Sequence, residues 1–114
     1  MAIKRIEAII RPEKLEPLRL HLQDVGYPGM MVTEIEGHGK QRGVEQQFRG
    51  NKFKTYFLPK IRVEIVTNDK CVKKIVDTII DVCRSGSVGD CKIFISDVKD
   101  AIRIRTKEKG DKAI

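Results

Sequence analysis

The sequence predicts an α+β fold, a ferredoxin-like βαββαβ sandwich interrupted by one long loop between its second and third strands, and three observations carry that prediction. A shift of 57 residues lays Arg5-Ile6-Glu7-Ala8-Ile9 on Arg62-Val63-Glu64-Ile65-Val66, so the chain reads as two halves related by pattern rather than by identity. In each half a period-two apolar run leads into apolar positions at three-to-four spacing, which is a strand followed by an amphipathic helix. Between the halves lie about 18 residues, from Gly37 to about Tyr56, where a hairpin turn of about 2–5 residues is usual.

In the first strand Ile6, Ala8 and Ile10 alternate as one face. Leu15, Leu18, Leu22 and Val25 then fall on one side of a helix. Pro17 must lie in the first turn of that helix, where a missing N–H costs little, and Gly26 ends it. In the second half Ile61, Val63 and Ile65 alternate, and Asn68 stands where a helix N-cap belongs. Val72, Ile75, Val76, Ile79, Ile80 and Cys83 make the buried stripe of the second helix. A further strand closes each half, near residues 31–36 and 92–98, and residues 101–105 alternate again before a charged tail over about 106–114. The helices cover one sheet face; the other keeps apolar side chains, which calls for an oligomer that hides it.

At 114 residues, 40% hydrophobic and 34% charged, the chain suits one soluble domain spanning 1–114. No apolar run approaches the ~18 residues of a membrane helix. Glu7 falls where a secretory peptide needs its apolar stretch, so a cytoplasmic location is expected. Cys71, Cys83 and Cys91 show no C-x-x-C spacing and are read as reduced and mostly buried; with only His21 and His38 beside them, no zinc set emerges. The net charge of +7 invites a nucleic-acid reading, yet the cations are interleaved with 16 acids and aromatics are only 5%. A basic ferredoxin-like module that clamps nucleic acid with the glycine-bearing loop is the alternative function.

The long loop carries Gly37, Gly39, Gly43 and Gly50, with glutamines at 41, 46 and 47. Residues 40–47 offer almost nothing apolar, and ordering them costs roughly 1–2 kcal/mol per residue. The segment from about His38 to Thr55 is therefore expected to be mobile, without a stable hairpin, until a ligand or partner orders it. Arg103 and Arg105 stand two apart in an alternating run, which puts two guanidinium groups on one strand face, as a polyphosphate requires; an ordinary solvated basic edge has the same pattern. Ser85-Gly86-Ser87-Val88-Gly89-Asp90 is a glycine-bearing turn whose N–H groups can approach an anion, with Lys92 adding charge.

Several blocks then resemble the PII signal-transduction family, the GlnB/GlnK group. They are Ile6-Glu7-Ala8-Ile9-Ile10-Arg11-Pro12-Glu13-Lys14-Leu15, Gly29-Met30 with Val32-Thr33-Glu34, Gly37-x-Gly39-x-Gln41, Phe48-Arg49-Gly50, Phe57-Leu58-Pro59-Lys60, Val76-Asp77-Thr78-Ile79-Ile80, Gly89-Asp90-Cys91-Lys92-Ile93-Phe94 and Ile102-Arg103-Ile104-Arg105-Thr106. They run in order over nearly the whole chain. The resemblance implies a homotrimer with ATP or ADP in the clefts between subunits and 2-oxoglutarate beside Mg-ATP at the root of the loop. It further implies that this loop, the T-loop, docks on an Amt-type ammonium transporter or on a nitrogen-metabolism enzyme such as glutamine synthetase.

By the family pattern Ile9, Met31, Gly37, His38, Gly39, Lys40, Glu64, Val66, Gly89, Asp90, Cys91, Lys92, Arg103 and Arg105 contact nucleotide. Gln41 holds magnesium through ATP and, with Lys60, the 2-oxoglutarate; Arg49 is the partner anchor. Ile9 and Val66 also read as plain core, and Lys60 as a solvated lysine. Four positions depart from the pattern. Cys91 replaces a glycine of the phosphate loop, and Met31 replaces a threonine. Phe53 stands where many bacterial members carry a uridylylated tyrosine, and Asn51 where some photosynthetic members carry a phosphorylated serine. Tyr56 lies three residues from that phenol position, so signalling through ligands alone is expected, with no covalent modification. No Ser/His/Asp constellation can be assembled, and no enzyme activity is expected.

Overall fold

Period-two alternation makes the strands and period-3.6 stripes make the helices, in the order β1 (Ile3–Ile10), α1 (Leu15–Asp24), β2 (Met31–Gly37), β3 (Glu45–Phe48), β4 (Asn51–Lys54), β5 (Leu58–Asn68), α2 (Asp69–Cys83) and β6 (Ile93–Val98). A computed structural model describes residues 2–27, 29–37, 45–48, 51–54, 58–87, 89–90 and 92–114. Four strands form one antiparallel sheet ordered β2-β5-β1-β6, while β3 and β4 pair only with each other. This is the ferredoxin-like arrangement expected, with the extra pair inserted between its second and third strands.

The register places Ile6 opposite Ile65, Ala8 opposite Val63 and Ile10 opposite Ile61. Those six meet Leu18 and Leu22 of α1 and Ile75 and Ile79 of α2 in one buried core. At about 1.5–3 kcal/mol for each fully buried large aliphatic side chain, this layer supplies the main driving force for folding. Helix α1 ends as Gly26 predicts: its φ is +91°, Tyr27 N–H donates to the Leu22 carbonyl at 2.8 Å and Gly26 N–H to Gln23 at 3.1 Å. Among the described residues nothing covers the opposite sheet face. One row across it runs Met31, Glu64, Glu7, Phe94, with Met31 57% and Phe94 54% exposed.

Several expectations need correction. Asn68 holds the N-cap position but its side chain makes no capping bond; the Asp69 N–H donates instead to the Ala2 carbonyl at 3.0 Å. Ile80 lies at the edge of its helical stripe and is 43% exposed. Cys71 and Cys83 are free thiols but only half-buried. The long insertion does contain a strand pair, with Glu45 opposite Lys54 and Phe48 opposite Asn51, because backbone N–H and C=O groups can pair whatever the side-chain pattern. Finally, residues 101–105 form no strand. Ile102 makes a single bridge to Lys109, the chain turns over 104–106, and Lys107 adopts φ +63°.

Candidate functional site

Helix α2 can run no further than Cys83, because Arg84 turns extended (φ −70°, ψ 129°) and Gly86 takes φ +83°. The loop that follows closes on itself through one carboxylate. Asp90 accepts the Ser85 N–H (2.7 Å), the Gly86 N–H (2.8 Å) and the Ser85 hydroxyl (2.6 Å). These bonds, the Ser85 hydroxyl first, then the Ser85 and Gly86 N–H groups, with Arg11 adding its charge, hold the Asp90 carboxyl down at about 2 against burial, which opposes them. Ser87 N–H points to the Ser85 hydroxyl at 3.3 Å, and Asp90 N–H donates to the Ser87 carbonyl at 3.1 Å. The N–H groups at 85, 86, 87 and 90 are thus all donated inside the loop.

Arg11 braces the loop from the far side of the sequence. It leaves the end of β1 with extended backbone (φ −71°, ψ 144°), and Pro12 begins a short 3-10 turn behind it. Its Nη2 donates to the Ser87 hydroxyl at 2.6 Å and its Nε lies 3.7 Å from Asp90 Oδ1, a charge contact rather than a hydrogen bond. The guanidinium lies against Gly89 so closely that a Cβ there would be 2.1 Å from Nη2. Lys60, 6% exposed near the start of β5, donates from Nζ to the Gly89 carbonyl at 3.0 Å. The root of the long insertion is thereby tied to this loop.

Beside the brace opens a cleft of about 270 Å³. Ile9, Ile10, Ile79, Ile80 and Ile93 supply an apolar wall; Arg11, Arg84 and Lys92 supply three cations, and Asp90 one anion. Such a lining suits a ligand with an apolar ring and an anionic end. Cys83 also lines it, with burial pushing its thiol up to about 11, so the group stays a protonated, poor nucleophile at neutral pH. A larger hollow of about 520 Å³ between Pro12, Ile35 and Pro59 is edged by Glu34 and Glu36 with one cation, Lys60, whose ammonium is bonded to the Gly89 carbonyl. Among the described residues, no group of three His, Cys, Asp or Glu is placed to hold a metal ion.

The structure brings Ile9, Asp90 and Lys92 together at the cleft, and Gly89 and Lys60 next to it. Met31, Glu64 and Val66 sit on the uncovered sheet face, and Gly37 at the end of β2. Arg103 and Arg105 do not share a strand face: Arg105 lies in the 104–106 turn and Arg103 Nη1 is 3.4 Å from Glu108 Oε1. His38, Gly39, Lys40, Gln41, Arg49, Tyr56 and Cys91 lie outside the described residues, as does the side chain of Phe53. Sequence reasoning assigned no role to Arg11 or Arg84. A lone arginine before a proline gives no local signal of what it will touch.

Comparison with known proteins bears directly on this arrangement. The family model for nitrogen regulatory protein P-II matches residues 3–108. The chain is 48% identical over 112 residues to nitrogen regulatory protein P-II 1 of Escherichia coli, covering 98% of this chain and 100% of that one. The chain belongs to the P-II family. It is 47% identical over 112 residues to nitrogen regulatory protein P-II 2 of Methanothermobacter thermautotrophicus, covering 98% and 97% of the two chains. Among solved structures, Arabidopsis thaliana PII bound to citrate superposes with a TM-score of 0.81 at 33% identity, over 99% of this chain and 92% of that one. The ferredoxin-like sheet and its inserted segment are therefore those of the P-II nitrogen regulators, and no helix among the described residues is long and apolar enough to cross a membrane.

Proposed function

We propose that this P-II protein is a signalling regulator rather than an enzyme, which binds ATP and ADP in clefts between the subunits of a homotrimer. In this reading 2-oxoglutarate joins Mg-ATP at the root of the long loop, and the loop carries the signal to an ammonium transporter or a nitrogen-metabolism enzyme in the cytoplasm. The observation that carries it is the cleft where Arg11, Arg84 and Lys92 edge an isoleucine wall. A base fits the wall, and always-charged guanidinium groups favour phosphate. Ile9, Gly89 and Lys92 line or adjoin that cleft, whereas Met31, Glu64, Val66, Arg103 and Arg105 lie away from it in one chain. A neighbouring copy that covers the mixed apolar and charged sheet face would bring its own set to the opening. Magnesium would be held by ATP phosphates and Gln41, and citrate on the Arabidopsis relative supports a place for a small polycarboxylate.

Calorimetric titration with ATP, ADP and AMP, each with and without 2-oxoglutarate and magnesium, tests the site. Base-specific saturable binding is expected; indifference to free nucleotide with steep salt-dependent affinity for nucleic acid would favour the basic-module alternative. Light scattering at micromolar concentration should give a trimer. Arg49→Ala should abolish capture of an Amt-type transporter while ATP binding persists. Incubation with a uridylyltransferase should leave position 53 unlabelled, because Phe53 has no hydroxyl to attack phosphorus.

A further inference from the structure

The carboxylate of Asp90 sits where an anion would be expected: in the nest made by the Ser85 and Gly86 N–H groups, at the turn where Gly86 takes φ +83°. We propose that Asp90 is a positioning residue, an internal anion that folds the 84–90 loop before any ligand arrives, so that nucleotide affinity depends on its side chain through loop shape and not through contact. This rests on the reading of the cleft as a nucleotide site.

The geometry separates two roles that sequence alone merges. Each Asp90 oxygen is engaged inside the loop: Oδ2 takes both N–H groups, and Oδ1 takes the Ser85 hydroxyl and faces Arg11. A second carboxylate or phosphate could use those N–H groups only by evicting Asp90, and the pair of anions would repel. Asp90 lines the cleft with both oxygens already engaged, and the cations beside it there are Lys92 and Arg84, which flank a loop of preset shape. Arg11 closes the brace by holding Ser87, whose hydroxyl meets that of Ser85 at 2.8 Å. The depressed carboxyl of Asp90 agrees with a side chain that stays ionised and engaged.

The test pairs amide exchange, which needs no nucleotide, with ATP titration. In the free protein the Ser85 and Gly86 amides should lose protection in the order Asp90, Asp90→Asn, Asp90→Ala. ATP affinity should fall in the same order, on the order of 10- to 100-fold for Asp90→Ala, as for loss of bonds to a charged group. Lys92→Ala should lower affinity while leaving exchange of both amides unchanged. Ser87→Ala, which removes the Arg11 bond to Ser87 and leaves the bonds of Asp90 to Ser85 and Gly86 in place, provides a milder loosening if Asp90→Ala fails to fold. Added acetate should restore protection and affinity to Asp90→Ala by refilling the nest. Tighter ATP binding by Asp90→Ala would overturn the proposal and make Asp90 a competitor that phosphate displaces. Weaker binding with unchanged exchange would overturn it in favour of direct contact, and faster exchange with unchanged affinity would divorce the loop from the site. Failure of the unaltered protein to bind any nucleotide would sink the reading of the cleft, while the exchange order would still judge the brace.

Discussion

Gly89→Ala is the perturbation whose sign the structure decides. A Cβ at position 89 would meet Arg11 at 2.1 Å from Nη2 and 2.6 Å from Cζ, so the guanidinium must leave. It then gives up its 2.6 Å bond to Ser87 and its 3.7 Å approach to Asp90. A hydrogen bond to a charged group contributes about 1.5–3 kcal/mol, and the exposure of Ser87 places this one at the lower end. Gly89 lies outside the left-handed region, where alanine is tolerated; replacing glycine by alanine there restricts the unfolded chain and stabilises by about 0.4–1 kcal/mol. The net expectation is a loss of about 1 kcal/mol. In an Arg11→Ala background the clash is gone, so the same Gly89→Ala change should become neutral or stabilising by up to about 1 kcal/mol. Urea unfolding of the wild type, both single variants and the double variant, at one protomer concentration, measures the cycle. Additivity within about 0.5 kcal/mol would refute the close packing of Arg11 on Gly89.

Lys92→Ala and Arg103→Ala should each weaken ATP binding by on the order of 10- to 150-fold in calorimetry, the loss of one charge-assisted contact. Glu108→Gln should tighten ATP binding by up to about 5-fold, because it releases Arg103 from an exposed ion pair; an unchanged titration would show that Arg103 does not reach the ligand. Because the folded pKa of Asp90 is depressed from its ordinary value near 3.8 to about 2, the loop has its full stability above pH 4 and loses it as pH falls through about 2. A carboxyl NMR titration of Asp90 that fell in the ordinary aspartate range would contradict the nest. Amides of the pair β3–β4 should exchange much faster than those of β1 and β5, since an isolated two-stranded hairpin is marginal in water.

The fold was legible because periodicity is local. Leu18, Leu22, Ile75 and Ile79, all placed in helical stripes by their spacing, are the residues buried at 2% or less in the helix layer. Gly26 at φ +91° and the strand at Met31–Gly37 were equally visible. The hairpin of the insertion was not, because its strands satisfy backbone groups and need no apolar pattern to announce them. The alternation of residues 101–105 misled for the converse reason. An apolar-polar rhythm permits a strand but does not supply one to pair with, and Ile104 ends 97% exposed in the turn.

The sequence by itself determined the two strand-helix halves, the core stripes, the place of the insertion and, through blocks spread over the chain, the P-II family. Only the tertiary structure decided what the charged side chains do. Arg11 and Ser87 stand 76 residues apart and Lys60 and Gly89 stand 29 apart, yet each pair is in hydrogen-bond contact. Backbone periods of 2 and 3.6 are written into neighbouring residues, so they can be read from a string. A guanidinium's partner depends on how the end of β1 and the loop after α2 are brought together by core packing. The one-dimensional spacing of charges holds no record of that distance, and so the bonds that engage both Asp90 oxygens could be seen only in the folded chain.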